Sequence, residues 1–185
     1  MNEFVKLKKE NDILRNRIEN LENEIEFLVL HPTIAQGLKG ERFICDLTEG
    51  TLTKPQASHD ITLENQITLE VKFSSLVKQG SGESYRWHWG KPLGQNMKKD
   101  YDFLLLVGDK DYRYDQYLDN APFVFFLLPL NKVKYISASD RTYRGGQLNL
   151  NTHFATVRSP RGKELIQYMV SSSKIKELTS GAHKD

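Results

Sequence analysis

The segment from Ser58 to Ser75 alternates apolar and polar residues around a short polar interruption, and it constrains the fold more than any other segment. Such alternation is typical of half-buried β-strands, because successive side chains point to opposite faces. A three-residue loop over residues 64–66 would join two antiparallel strands. The predicted pairs are Leu63 with Ile67, Thr62 with Thr68, Ile61 with Leu69 and Asp60 with Glu70. One face of this hairpin is then wholly apolar, and the other carries two threonines and two carboxylates.

The carboxylates of Asp60 and Glu70 are predicted to face each other, with Cβ atoms roughly 4.5–5.5 Å apart. Like charges at that distance repel each other, so we expect a cation between them. Oxygen ligands favour Mg²⁺ over zinc, and Mg²⁺ is usually held by one or two carboxylates together with water and phosphate. Lys72 lies on the same face, where its ammonium group can orient a water molecule. The hairpin therefore predicts a Mg²⁺ site for phosphoryl chemistry, with Mn²⁺ able to substitute.

A simpler interpretation is that Glu70 and Lys72 form only a solvated salt bridge, since a Glu-x-Lys triplet on a strand often has no function. The shared face of the hairpin and the register that aligns the two acids favour the catalytic interpretation. A predicted helix over residues 33–47 adds a third carboxylate, Glu41, just before the hairpin.

These residues resemble the PD-(D/E)XK nuclease superfamily, which includes most type II restriction endonucleases. Its pattern is an acid at the start of one strand and Glu-x-Lys on the next, here Asp60 and Glu70 to Lys72. An extra acid lies on the preceding helix, here Glu41. The resemblance covers residues 37–75. His59 stands where the family pattern has proline.

The resemblance implies a role for each matched residue. Asp60, Glu70 and the main-chain carbonyl of Val71 would bind the metal, and Lys72 would position the attacking water. It also implies a restriction-endonuclease-like fold, a mixed β-sheet flanked by helices. Ser74 and Gln95 lie where members of the family often carry supporting polar groups.

The first 30 residues carry four unbroken heptads, the pattern of a parallel two-stranded coiled coil. Position a holds Phe4, Asn11, Ile18 and Ile25, and position d holds Leu7, Leu14, Leu21 and Leu28. Asn11 at an a position is expected to fix the register. Since proline disfavours helical geometry in the residue before it, Pro32 ends the helix. We predict a dimerisation helix over residues 1–31 and a nuclease domain over 32–185; an amphipathic helix lying on its own domain is the alternative.

Two continuous apolar runs, residues 103–108 and 122–128, have strand length and predict central strands covered on both faces. Residues 93–99 predict a short helix, and residues 164–178 predict one or two closing helices. The alternation of helices and strands indicates an α/β architecture with a mixed sheet. This sheet would carry the predicted hairpin.

The formal charge of +2 does not by itself indicate a nucleic-acid partner, but residues 131–174 carry eight basic side chains against two acidic ones. Such segregation is typical of a polyanion-binding surface or of a solvated basic face. Residues 85–91 combine cationic and aromatic side chains. The predicted DNA contacts are Arg86, Trp87, His88, Lys91, Arg141 and Arg144, with Arg158 and Arg161 as further phosphate candidates. The alternative for residues 85–91 is a hairpin whose tryptophans pack in the core.

The combined prediction is a homodimeric, Mg²⁺-dependent endonuclease of double-stranded DNA, of the type II restriction class. A homing or repair nuclease on the same core and a non-catalytic dimeric DNA-binding protein are the alternatives. No apolar run is long enough to span a bilayer, and no secretory signal begins the chain, so we expect a cytoplasmic protein without a membrane partner. Cys45, the single cysteine, excludes an internal disulfide.

Overall fold

The computed structural model describes residues 3–54, 57–94, 97–137 and 145–180. The chain divides into two compact units, residues 1–36 and residues 37–185. The helices of the described residues are α1 (Glu3–Leu30), α2 (Pro32–Thr48), α3 (Leu130–Ile136), α4 (Pro160–Ile166) and α5 (Ser172–Glu177). The strands are β1 (Thr51–Leu52), β2 (Ile61–Thr62), β3 (Thr68–Ser74), β4 (Val77–Lys78), β5 (Tyr85–Gly90), β6 (Phe103–Asp109), β7 (Phe123–Pro129), β8 (Gln147–Asn151) and β9 (Met169–Val170).

The strands form two sheets. A six-stranded sheet has the order β1-β2-β3-β6-β7-β9, and a three-stranded sheet has the order β4-β5-β8. Strands β3 and β6 run parallel, and the other paired neighbours run antiparallel. The predicted α/β architecture with a mixed sheet is therefore confirmed, whereas the second, smaller sheet was not predicted.

The predicted register of the hairpin is confirmed. Ile61 pairs with Leu69 and Thr62 pairs with Thr68 across β2 and β3. The Leu63 amide donates to the Ile67 carbonyl at 2.8 Å, which closes the loop. The apolar side chains of this hairpin are buried, because they face the core beneath α2.

The central strands β6 and β7 are buried on both faces, as their continuous apolar sequences predict. Leu104 and Leu106 of β6 pack in one core cluster together with Trp87 and Trp89 of the small sheet. The alternating residues of β6 pack in a second cluster on the opposite face, with side chains from α2 and α5. The small sheet therefore covers one face of the large sheet.

Helix α1 exposes most of its heptad side chains within this single chain. The a and d residues Leu7, Leu14, Ile18, Leu21 and Ile25 are between 48% and 62% exposed. Asn11 accepts a hydrogen bond from the Nε of Arg15, four residues along the same helix. The coiled coil stays a prediction, since a second copy would have to cover these side chains.

Two local predictions differ from the structure. Residues 93–99 were predicted to form a short helix. Where they are described, they form turns and irregular backbone, with Gly94 at φ +74°. The closing segment consists of α4, the short strand β9 and α5, so it adds an edge strand to the large sheet. No helix among the described residues combines the length and apolar character needed to cross a membrane.

Candidate functional site

The candidate site lies where the β2–β3 hairpin brings Asp60 beside β3. Asp60 immediately precedes β2, and Glu70 and Lys72 alternate along β3 on one face. The Asp60 amide donates to the carbonyl of Leu69 at 2.9 Å, and the Asp60 Oδ2 accepts from the Val71 amide at 2.8 Å. These bonds hold the carboxylate of Asp60 against the strand that carries Glu70.

Glu70 is a charged residue inside the core, with a side chain that is 0% exposed. Its Oε2 accepts a hydrogen bond from Lys99 Nζ at 2.8 Å. Its Oε1 lies 2.5 Å from Lys72 Nζ as an ion pair. Each carboxylate oxygen of Glu70 therefore faces one ammonium group. A buried carboxylate is costly to a fold unless cations compensate it in this way.

Lys99 contacts both acids of the site. Its ammonium group lies 3.7 Å from Asp60 Oδ1 as well as 2.8 Å from Glu70 Oε2. Lys99 belongs to the loop before β6, nearly 30 residues along the chain from Glu70. The sequence analysis missed it, because no periodic pattern connects this loop residue to the hairpin.

Burial and the repulsion of neighbouring carboxylates raise the pKa values of Glu70 and Glu41. Burial raises the pKa of Glu70; the charge of Lys72 opposes this effect and the charge of Asp60 adds to it. Burial is also the largest cause that raises the pKa of Glu41 to about 7, followed by the charge of Asp60. Glu41 lies on α2 and is near enough to these acids to feel their charge. Acids with raised pKa values are typical of functional sites.

Tyr101 closes the buried side of this cluster. It is 4% exposed, and its hydroxyl donates to the carbonyl of Pro92 at 2.8 Å. Burial raises its pKa, and the charges of Glu70 and Asp60 raise it further. Tyr101 therefore stays protonated and neutral beside the carboxylates.

The residues of the site fit a hard divalent cation on two grounds. Asp60, directly before β2, and Glu70, on β3, supply carboxylate oxygens side by side, and one cation, the ammonium group of Lys99, already lies within reach of both. No group of three or more His, Cys, Asp or Glu side chains is gathered for a metal ion in the described part of the chain. Two carboxylates nevertheless suffice for Mg²⁺, which keeps several water or phosphate ligands.

The predicted DNA contacts divide into three groups. Arg86, His88 and Lys91 are exposed on β5 or directly after it. Trp87 is 0% exposed, and its Nε1 donates to the carbonyl of Asp109 at 2.9 Å. The prediction that Trp87 contacts DNA is therefore wrong, and the alternative of a core tryptophan is right. Arg141 and Arg144 lie outside the described residues, as does Gln95, the supporting polar residue implied by the family resemblance.

The small sheet is attached to the strand that carries the site. The amide of His88 in β5 donates to the hydroxyl of Ser74 in β3 at 2.8 Å. The Nε1 of Trp89 donates to the carbonyl of Val107, and a Cβ added at Gly108 would lie 2.5 Å from Trp87. Glycine at position 108 thus permits the close approach of the two sheets. Ser74 bridges them, which is a structural role.

Comparison with known proteins does not establish a family for this chain. No family model matches the chain. No curated protein is similar enough to match it. Among solved structures, the chain is similar to a bacterial homing endonuclease, I-Ssp6803I, at 17% identity and a TM-score of 0.43, with 80% of this chain and 93% of that chain covered. A common fold is not established at that TM-score, so the proposed function rests on the residues of the site.

Proposed function

We propose that this chain is a divalent-cation-dependent endonuclease of double-stranded DNA, with Mg²⁺ as the expected cation. The observation that carries the proposal is Glu70, a fully buried carboxylate between two ammonium groups and beside a second acid, Asp60. Asp60, Glu70 and Lys72 together supply two acids and one ammonium group, a set that suits metal-assisted phosphodiester hydrolysis. A purely structural salt bridge gives no reason to bury a second acid beside Glu70.

Asp60 and Glu70 would hold the cation, with the main-chain carbonyl of Val71 as the further ligand implied by the family resemblance. The bond from the Val71 amide to Asp60 fixes one carboxylate, and the β3–β6 pairing fixes Glu70. A bound cation would supply Lewis-acid stabilisation of the charge that develops on phosphate oxygens. The burial of Glu70 excludes water from the inner side of the site.

Lys72 would orient the attacking water, and Glu41 would take up or release its proton. The side chain of Lys72 is 26% exposed, so its ammonium group reaches solvent while it contacts Glu70. It can therefore orient a water molecule toward a phosphate at the surface. Glu41, with a pKa of about 7, can take up or release a proton near neutral pH.

The biological form we propose is a homodimer that acts in the cytoplasm as a site-specific restriction endonuclease. The exposed a and d side chains of α1 support a parallel pairing of two chains. Two sites related by a two-fold axis suit cleavage of both strands of a palindrome. Sedimentation equilibrium of the full chain tests the dimer.

Plasmid cleavage tests the proposal. We expect the purified full chain to convert supercoiled plasmid to linear DNA with Mg²⁺ or Mn²⁺, and not with EDTA. Glu70→Gln is expected to lower the single-turnover rate by at least about a thousandfold, because the neutral amide cannot neutralise a cation. Glu64→Gln is the matched control, since Glu64 is an exposed acid in the loop of the same hairpin.

The outcomes separate the rival functions. Discrete plasmid fragments favour restriction, whereas a single rare cut favours a homing nuclease. Plasmid binding without cleavage under every cation, unaffected by Glu70→Gln, would mean a non-catalytic DNA-binding protein and would overturn the proposal.

A further inference from the structure

The three-stranded sheet exposes one polar face, defined here as the outer face of β5 and β8. Strand β5 alternates buried Trp87 and Trp89 with exposed Arg86 and His88. Strand β8 has the matching alternation, with Leu148 and Leu150 buried. The inner face therefore packs entirely on the core, and none of the polar side chains of the outer face is needed for packing.

The register places amide and basic side chains in facing rows on this outer face. His88 pairs with Asn149, Arg86 pairs with Asn151, and Gly90 pairs with Gln147. His88 Nδ1 lies 2.7 Å from Asn149 Oδ1 and 3.0 Å from Gln147 Nε2, so this nitrogen holds the Asn149 amide when it is protonated and the Gln147 amide when it is not. Side-chain contacts of this kind reduce the number of conformers that a ligand must select.

Two adjoining cavities flank Asn149 and extend the outer face into a groove. One, of about 350 Å³, is lined by Arg86, Asn151 and Arg158, and the other, of about 500 Å³, is lined by Gln147 and Arg161. Asn149 lines both cavities. The charged residues around the first cavity are arginines, and Glu164 is the acidic residue that lines the second. The groove therefore combines positive charge with amide groups.

We propose that the outer face of β5 and β8 contacts base edges in the major groove of double-stranded DNA, with Asn149 and Gln147 as specificity-determining residues. The major groove admits a two-stranded β-ribbon, and asparagine or glutamine amides can form paired hydrogen bonds with adenine. Arg86, Arg158 and Arg161 provide the positive charge that attracts the phosphate backbone. Neither amide was predicted from the sequence, because β8 carries no DNA-binding pattern.

This inference rests on the proposed function, and it adds the surface that selects the sequence to be cut. The bond between His88 and Ser74 places the outer face on the same framework as Glu70, four residues earlier in β3. The outer face of β5 and β8 and the candidate site on β3 therefore belong to the same compact unit of the chain.

A random-sequence duplex library tests the inference. The full chain is used with Ca²⁺, an ion expected to support binding without cutting, to select bound duplexes, and binding to a selected and a scrambled duplex is then measured. We expect Asn149→Ala and Gln147→Ala each to weaken binding to the selected duplex at least about fivefold, with binding to the scrambled duplex unchanged. Asn131→Ala is the control, since Asn131 is an exposed amide on α3 that lines neither cavity.

Three outcomes overturn the inference: no sequence enriched from the library, equal loss on both duplexes, or no loss in either amide variant. Because Asn149 is exposed, circular dichroism is expected to show that its variant folds. Plasmid cleavage by the same variants separates the two proposals. Cleavage with an unaltered sequence preference refutes only the proposal that the outer face selects the sequence. Sequence-selective binding without any cleavage refutes only the proposal that the chain is a nuclease, and it supports the role of the outer face.

Discussion

The site around Glu70 and the outer face of β5 and β8 both present polar groups, but they differ in what these groups cost the stability of the fold. At the site, two acids are drawn into or beside the core and are compensated by two ammonium groups. On the outer face, amides and basic groups remain in solvent and bond mainly to one another. Buried charge destabilises a fold unless it is compensated, whereas exposed polar groups are nearly neutral. The difference fits the two proposals, which assign chemistry to the first region and selectivity to the second.

Lys72→Met should have the largest effect, on the rate of cleavage. The methionine keeps most of the side-chain volume but removes the ammonium group that would orient the water, so we expect single-turnover cleavage to fall by about a thousandfold. Plasmid binding with Ca²⁺ should persist. Lys54→Met, at an exposed lysine, is the control. Loss of binding together with cleavage would show that Lys72 contributes to DNA affinity. It would contradict the separate roles proposed for the two regions.

Lys99→Met should lower the stability of the fold when no divalent cation is present. Removing this ammonium group leaves Glu70 compensated by Lys72 alone, and we expect the free energy of unfolding in EDTA to fall by about 2–3 kcal/mol. Addition of Ca²⁺ should then raise the melting temperature more in the variant than in the wild type, because the ammonium group of Lys99 no longer competes with the ion. Lys98→Met, at the exposed neighbouring residue, is the control. Equal stability of variant and wild type in EDTA contradicts the prediction.

Glu41→Gln should change how stability depends on pH. Since the pKa of Glu41 is raised from 4.5 to about 7, the folded chain keeps a proton that the unfolded chain has lost in that window. Stability therefore falls as the pH rises from 4.5 through 7, and the amide removes this loss. We expect the variant to be more stable than the wild type by roughly 1–3 kcal/mol at pH 8 and nearly equal to it at pH 4. Thermal unfolding at both pH values measures the difference, and a constant offset would contradict it.

Arg86→Ala should have the smallest effect and act only on DNA affinity. The side chain is exposed, so the free energy of unfolding should change by less than about 0.5 kcal/mol. Binding to scrambled duplex should weaken a few-fold, and the slope of log affinity against log salt should decrease by about one. A titration with NaCl checks this slope. A large loss of stability would place Arg86 in the packing of the sheet.

Regular patterns in the sequence predicted most of the large sheet. The alternation in residues 58–75 predicted the register of β2 and β3, and the apolar runs predicted β6 and β7. These predictions succeeded because burial on one face or on two faces imposes its own period on a strand. The mixed α/β class followed from the order of the elements.

The sequence did not predict the features that depend on contacts between segments distant in the chain. Lys99 reaches the acids from a loop, and nothing in the spacing of that loop indicates its partner. In residues 85–91, the mixture of cationic and aromatic side chains fits both DNA contact and core packing, so Trp87 was assigned to DNA although it lies in the core. The raised pKa of Glu41 likewise depends on burial in the folded chain and on the charge of Asp60, neither of which follows from the spacing of residues in α2.

The inner face of β5 and β8 has a consequence for evolution. Because the buried side chains of Trp87, Trp89, Leu148 and Leu150 pack the small sheet onto the core, exposed positions on its solvent side can change at little cost to folding. Under the proposed function, descendants of such a gene could acquire new target sequences by exchanging a few surface amides and inherit the site around Glu70 unchanged.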